Sequence, residues 1–149
     1  MKRREPMPYS GIPDLKKGWE VVKASGCDNA MLILDTWHWV RADQPYDILT
    51  EEIAKKVVSI QINDAYDRPY AKTILRDESM HDRLAPGTGA KDTAGFVKMI
   101  KDAKIEPAVV GVEVISDEIL ARGIKEAAAH TYDNTVKVLR ETWPEVVED

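Results

Sequence analysis

Cysteine is almost missing from this chain: Cys27 is the only one in 149 residues. A single cysteine excludes an intrachain disulfide and argues against a cysteine-based zinc site. No apolar run approaches the roughly 20 residues needed to span a bilayer. The opening Lys2-Arg3-Arg4 has the charge of a signal-peptide start, but Glu5-Pro6-Met7-Pro8 follows where an apolar stretch would stand, so no export signal is expected. A basic excess is missing as well. Lys and Arg number 21 against 26 Asp and Glu, and the net charge of −5 argues against nucleic acid as a partner. Repeats, linkers and low-complexity tracts are not seen. A composition of 44% hydrophobic and 32% charged residues is that of an ordinary globular protein, so residues 1–149 are read as one cytoplasmic domain with a small-molecule partner.

Short apolar runs that end on an oxygen-bearing side chain stand out within that composition. Met31-Leu32-Ile33-Leu34 runs into Asp35, Val57-Val58-Ser59-Ile60 into Gln61, and Val109-Val110-Gly111-Val112 into Glu113. Glu5 closes a shorter first strand, Met1 to Glu5. The remaining strands are expected at 30–35, 57–62 and 108–114. Helical signals alternate with them. Leu15, Trp19 and Val22 mark a helix over 13–25 that Gly26 stops. Thr50 is a candidate cap for a helix over 50–56. Phe96, Met99, Ile100 and Ala103 mark a helix capped by Asp92, and 117–143 reads as one long helix or two short ones. The polar stretch from Asp64 to Ala90, which holds Pro69, Pro86, Gly87 and Gly89, is expected as a functional loop.

Strands this apolar on both faces belong to a parallel α/β fold, in which the C-terminal strand ends form the functional face. Converging oxygen groups there suit a hard divalent cation. The order is βαβαβαβα, four units, whereas a complete (βα)8 barrel takes about 250 residues. Single residues keep more than one reading. Asp35 with His38 is also a plausible local helix cap, Arg83 a solvated loop residue, and Trp37 and Trp39 either walls of a pocket or filler for a barrel mouth. A buried unpaired Glu113 would be costly, which favours a cation partner. His81 and His130 are read as surface residues, and Cys27 as packing beside the helix stop.

Five motifs resemble the sugar phosphate isomerase/epimerase family of xylose isomerase-like TIM barrels: Glu5-Pro6-Met7-Pro8-Tyr9-Ser10, Leu34-Asp35-Thr36-Trp37-His38-Trp39, Ile60-Gln61-Ile62-Asn63-Asp64-Ala65, Arg83-Leu84-Ala85-Pro86-Gly87-Thr88-Gly89 and Val112-Glu113-Val114. The resemblance covers essentially the whole chain and implies a parallel (βα)4 half of a TIM barrel, strands five to eight of the family barrel. It further implies metal ligation by Glu5, Asp35, Gln61 and Glu113, with Glu5 and Glu113 as the catalytic acid/base pair. His38, Arg83 and Trp37 are implied as substrate contacts. The implied chemistry is isomerisation or epimerisation of a small sugar or keto-polyol through an enediolate.

Two departures from the family wording matter. Gln61 stands where the epimerases use histidine, so Mg or Mn is expected over Zn. Thr88 interrupts the usual Pro-Gly-Glu-Gly turn. A keto-inositol-type dehydratase, or a non-catalytic half-barrel that only assembles or binds, would fit the same residues. The endonuclease branch, with a three-metal, histidine-rich site, fits poorly with three histidines and an acidic chain. Four βα units leave open sheet edges and an apolar inner face, so a homodimer that completes the barrel is expected.

Overall fold

A computed structural model describes residues 10–67, 75–90, 92–107 and 109–147. The expected first strand and Glu5 lie outside the described residues. Three strands, β1 (Leu32–Asp35), β2 (Val57–Ile62) and β3 (Val109–Val112), form a parallel sheet in the order β1-β2-β3. The register aligns Leu34 with Ile60 and Val110, and Asp35 with Gln61 and Gly111. β2 matches its expected bounds, whereas β1 starts two residues later and β3 ends two residues earlier than expected. Among the described residues, no helix is long and apolar enough to cross a membrane.

The register divides the sheet into two faces, because side chains at paired positions of a parallel sheet point the same way. Leu34 and Ile60 point to the helical side and join Leu32, Trp39, Phe96 and Ile100 in the main core. The helices on this side follow local rules. α1 (Leu15–Ser25) is capped by Asp14, whose carboxylate accepts from the Lys17 N–H, and it ends at Gly26 with φ +63°, a left-handed conformation that glycine adopts without a Cβ clash. α3 (Glu51–Ala54) is capped by Thr50, and α5 (Thr93–Asp102) by Asp92, both as expected. The 117–143 stretch is two helices, α6 (Asp117–Leu120) and α7 (Ile124–Thr142), divided at Gly123 with φ +92°. Val138 and Leu139 of α7 pack with Val97 of α5 and Ile62 of β2 in a second cluster.

The opposite face carries Ile33, Ser59 and Val109 in one row, and Ile33 and Val109 are each 59% exposed. In a closed barrel this row would be the packed interior.

Two expectations need correction. The 64–90 stretch is not all loop, since Leu75–His81 is a helix, α4. Its composition hides it, because the inward residues are Glu78 and Ser79, which are buried and polar. Trp37, His38 and Trp39 lie in α2 (Thr36–Arg41), a short helix that starts directly from the end of β1. Cys27, expected to pack, is exposed.

A candidate site at the C-terminal strand ends

Asp35 ends β1 and caps α2 at the same time. Its backbone is still extended (φ −118°, ψ 133°), and its Oδ1 accepts from the His38 N–H at 2.9 Å. The local-cap reading is therefore correct, but it uses only one oxygen. Oδ2 turns inward and accepts from Asn63 Nδ2 at 2.9 Å and Arg83 Nη1 at 3.1 Å. Asn63 lies two residues beyond Gln61, just past the end of β2, so continued alternation places it on the same face. Its Nδ2 also donates to the Glu113 carbonyl at 3.3 Å.

Arg83 reaches the site because the chain on either side of it is stitched to the strand ends. Leu84 and Asp64 form an antiparallel bridge beyond β2, Asp82 and Ser116 form another beyond β3, and the Arg83 N–H donates to Ile115 O at 3.0 Å. Arg83 is not the solvated loop residue that its neighbourhood suggests, being 3% exposed. Its Nη1 donates to Glu113 Oε2 at 2.5 Å as well as to Asp35, its Nε to Ser79 O at 2.9 Å and its Nη2 to Ser79 Oγ at 3.0 Å. The guanidinium lies 5.3 Å from the centre of the Trp37 ring. In this structure Arg83 is thus bonded to Asp35, Glu113 and Ser79.

Trp37 is fully buried. Its Nε1 donates to Glu78 Oε1 at 3.1 Å, an oxygen that also accepts from Arg41 Nε at 2.9 Å and from Arg41 Nη2. Trp37 is thus held between two guanidinium groups, Arg41 and Arg83. The turn after Leu84 keeps its backbone despite Thr88. Gly87 has φ +73°, and Gly89 donates to Asp64 Oδ2 at 3.0 Å, where an added Cβ would meet Asp64 Oδ1 at 2.4 Å.

Asp35, His38 and Gln61 line a cleft of about 290 Å³ beside β1, whose other walls include Leu15, Ile33 and Trp39. His38 reaches solvent in part, yet the protein around its ring lowers its pKa, burial first; Asp35 pulls it up, Arg83 pushes it down and Glu113 pulls it up. The imidazole is therefore neutral at pH 7, able to accept or donate one hydrogen bond in the cleft.

Whether these residues suit a divalent cation is decided by donor chemistry. Asp35, Gln61 and Glu113 supply two carboxylates and an amide at or next to the ends of three adjacent strands, and Asn63 Oδ1 is a buried carbonyl oxygen with no hydrogen-bond partner among the described residues. Such oxygen donors fit a hard divalent ion. The described residues alone hold no group of three His, Cys, Asp or Glu placed for a metal, and the fourth position of the motif set is Glu5. Asn63, Ser79, Glu78 and Arg41 were missed by sequence reasoning. Only Asn63 carried a signal, its even spacing from Gln61.

Comparison with known proteins gives the site a context. Residues 4–144 match the family model described as xylose isomerase-like TIM barrel. The chain is 28% identical over 132 residues to the inosose isomerase of Bacillus licheniformis, covering 89% of this chain and 45% of that protein. It is 28% identical over 140 residues to that of Bacillus velezensis, covering 94% and 45%. The chain thus spans about half the length of these relatives. Among solved structures, a zinc-binding IOLI protein superposes with a TM-score of 0.70 at 24% identity, over 87% of this chain and 44% of its own, which shows the fold. A xylose isomerase domain protein from Alicyclobacillus acidocaldarius gives 0.66 at 26% identity, over 86% and 43%.

Proposed function

Because the chain belongs to the xylose isomerase-like TIM barrel family, we propose that it forms a divalent-metal-dependent isomerase or epimerase centre for a small sugar or keto-inositol. The observation that carries this reading is that Asp35 and Glu113 share Arg83 Nη1, with Gln61 paired in register with Asp35 beside a cleft that both line. The relatives named inosose isomerase make a keto-inositol the first substrate to try. In this reading the residues are those of strands five to eight of the family barrel.

Asp35, Gln61 and Glu113 would hold the metal, with Glu5 as a fourth ligand, and their oxygens favour Mg or Mn over Zn. When bound, such an ion polarises the substrate carbonyl as a Lewis acid. Glu113, whose side chain is 35% exposed, takes the proton from the carbon beside the carbonyl and returns it, with Glu5 serving the opposite face. His38 and Gln61 orient substrate oxygens from the cleft wall. Asn63 and Arg83 hold Asp35 in place.

In heavy water with Mn or Mg, a keto-inositol should exchange hydrogen for deuterium beside its carbonyl, read by NMR. Glu113→Gln should slow this exchange by about 100-fold or more. No exchange by a metal-loaded protein would overturn the reading, and loss of water from the substrate would point to the dehydratase. Metal binding is checked separately. Mn or Mg at 100 times its Kd should raise folding stability by about 2.7 kcal/mol, and Asp35→Ala should abolish the rise in Tm.

The row of Ile33 and Val109, and sheet edges that no strand of the described residues covers, support assembly of two copies into a barrel-like dimer. Light scattering at low micromolar concentration should give twice the chain mass. A stable monomer that binds no apolar dye would exclude the dimer.

A further inference from the structure

We propose that Glu113 is a two-position carboxylate, held on Arg83 in this structure and turned to the metal on loading, and that the Ser79–Arg83 latch sets how readily the centre takes up its ion. The inference rests on the metal centre proposed above. It comes from an asymmetry between the two carboxylates that share Arg83 Nη1.

Asp35 is fixed. The His38 N–H, Asn63 Nδ2 and Arg83 Nη1 all donate to it, and its side chain is 6% exposed. Glu113 is held by less. Its side chain is 35% exposed, and among the described residues its carboxylate accepts from Arg83 Nη1. Between them, Arg83 does not yield, because Ser79 holds both Nε and Nη2 from α4 and the Trp37 ring lies against the guanidinium. An exchange of partners must therefore move Glu113, whose rotation costs one hydrogen bond. Moving Arg83 would break bonds to Ser79 and expose a buried cation.

The buried Asn63 amide lies where the exchange would take place. Its Nδ2 donates to Asp35 Oδ2 and the Glu113 carbonyl, while its Oδ1, fully buried, has no hydrogen-bond partner among the described residues. An unpaired buried acceptor is costly, and an incoming cation would satisfy it. Arg83 opposes that cation twice. It occupies one Glu113 oxygen, and its charge repels a second positive group a few ångströms away. In this arrangement Ser79 is a positioning residue that acts through Arg83.

Mn binding by residues 1–149, measured by calorimetry and by the Mn electron paramagnetic resonance signal, tests the idea. Circular dichroism would confirm that each variant is folded. Arg83→Gln removes the charge and should raise Mn affinity at least tenfold. Arg83→Lys keeps the charge and should stay within about threefold of wild type. Ser79→Ala loosens the latch and should raise affinity about two- to fivefold. A merely structural role would instead disorder the carboxylates and lower affinity in all three. Unchanged or weaker Mn binding by folded Arg83→Gln overturns the proposal. If that variant fails to fold, unchanged binding by Ser79→Ala does so. Failure of Mn to bind any of the proteins overturns the metal centre itself, and this inference with it.

Discussion

Arg83→Ala should cost about 3 to 5 kcal/mol of folding stability in urea melts, the range for a buried ion pair that loses one partner. From sequence alone the opposite is expected, because an arginine in a Pro/Gly-rich stretch reads as a solvent-facing residue whose loss affects binding only. The structure reverses the expectation. Removing the guanidinium leaves Asp35 buried with two donors instead of three, releases Glu113, and strips Ser79 Oγ and Ser79 O of their partner. It also opens a gap beside the fully buried Trp37. A change below about 0.5 kcal/mol, the range of ordinary surface substitutions, would show that Arg83 does not organise the site.

Glu78→Ala should be at least as damaging, again about 3 to 5 kcal/mol. Glu78 is fully buried, and its Oε1 is the shared acceptor for Trp37 Nε1 and the Arg41 guanidinium. Without it, Arg41 keeps the Tyr66 carbonyl at 3.0 Å as an acceptor but loses its neutralising charge. Glu78→Gln keeps an acceptor oxygen and should lose less. Comparing the two variants separates the charge from the hydrogen bond. Because Glu78 and Ser79 are adjacent on α4, the helix ties the Arg41–Trp37 side of the site to the Arg83 side. If Glu78→Ala melts within 0.5 kcal/mol of wild type, α4 is not the brace described here.

Much of the frame was legible in the residue order, since it depends on local and periodic physics. Apolar runs ending on Asp35, Gln61 and Glu113 marked three parallel strands, and Thr50, Asp92 and Gly26 marked helix ends, because capping groups act on backbone within three residues of themselves. The family motifs added the expectation of a partial barrel, and the match over residues 4–144 agrees with the family.

What the order of residues did not disclose was which polar groups are buried, because burial depends on where distant segments cross. Glu78 and Ser79 made 75–81 look like loop, yet they are the inner face of α4, 37 residues from Arg41 and four from Arg83. Trp37 seemed available to a substrate until α2 turned it onto Glu78. Arg83, near a turn in sequence, is carried into the site by bridges to Asp64 and Ser116 on either side of it. The sequence by itself determined the strands, the caps and the oxygen groups at the strand ends, because neighbours along the chain specify these. Only the tertiary structure decided that one buried arginine holds two of those carboxylates, because a charge can be taken out of water only where a partner from another element waits for it.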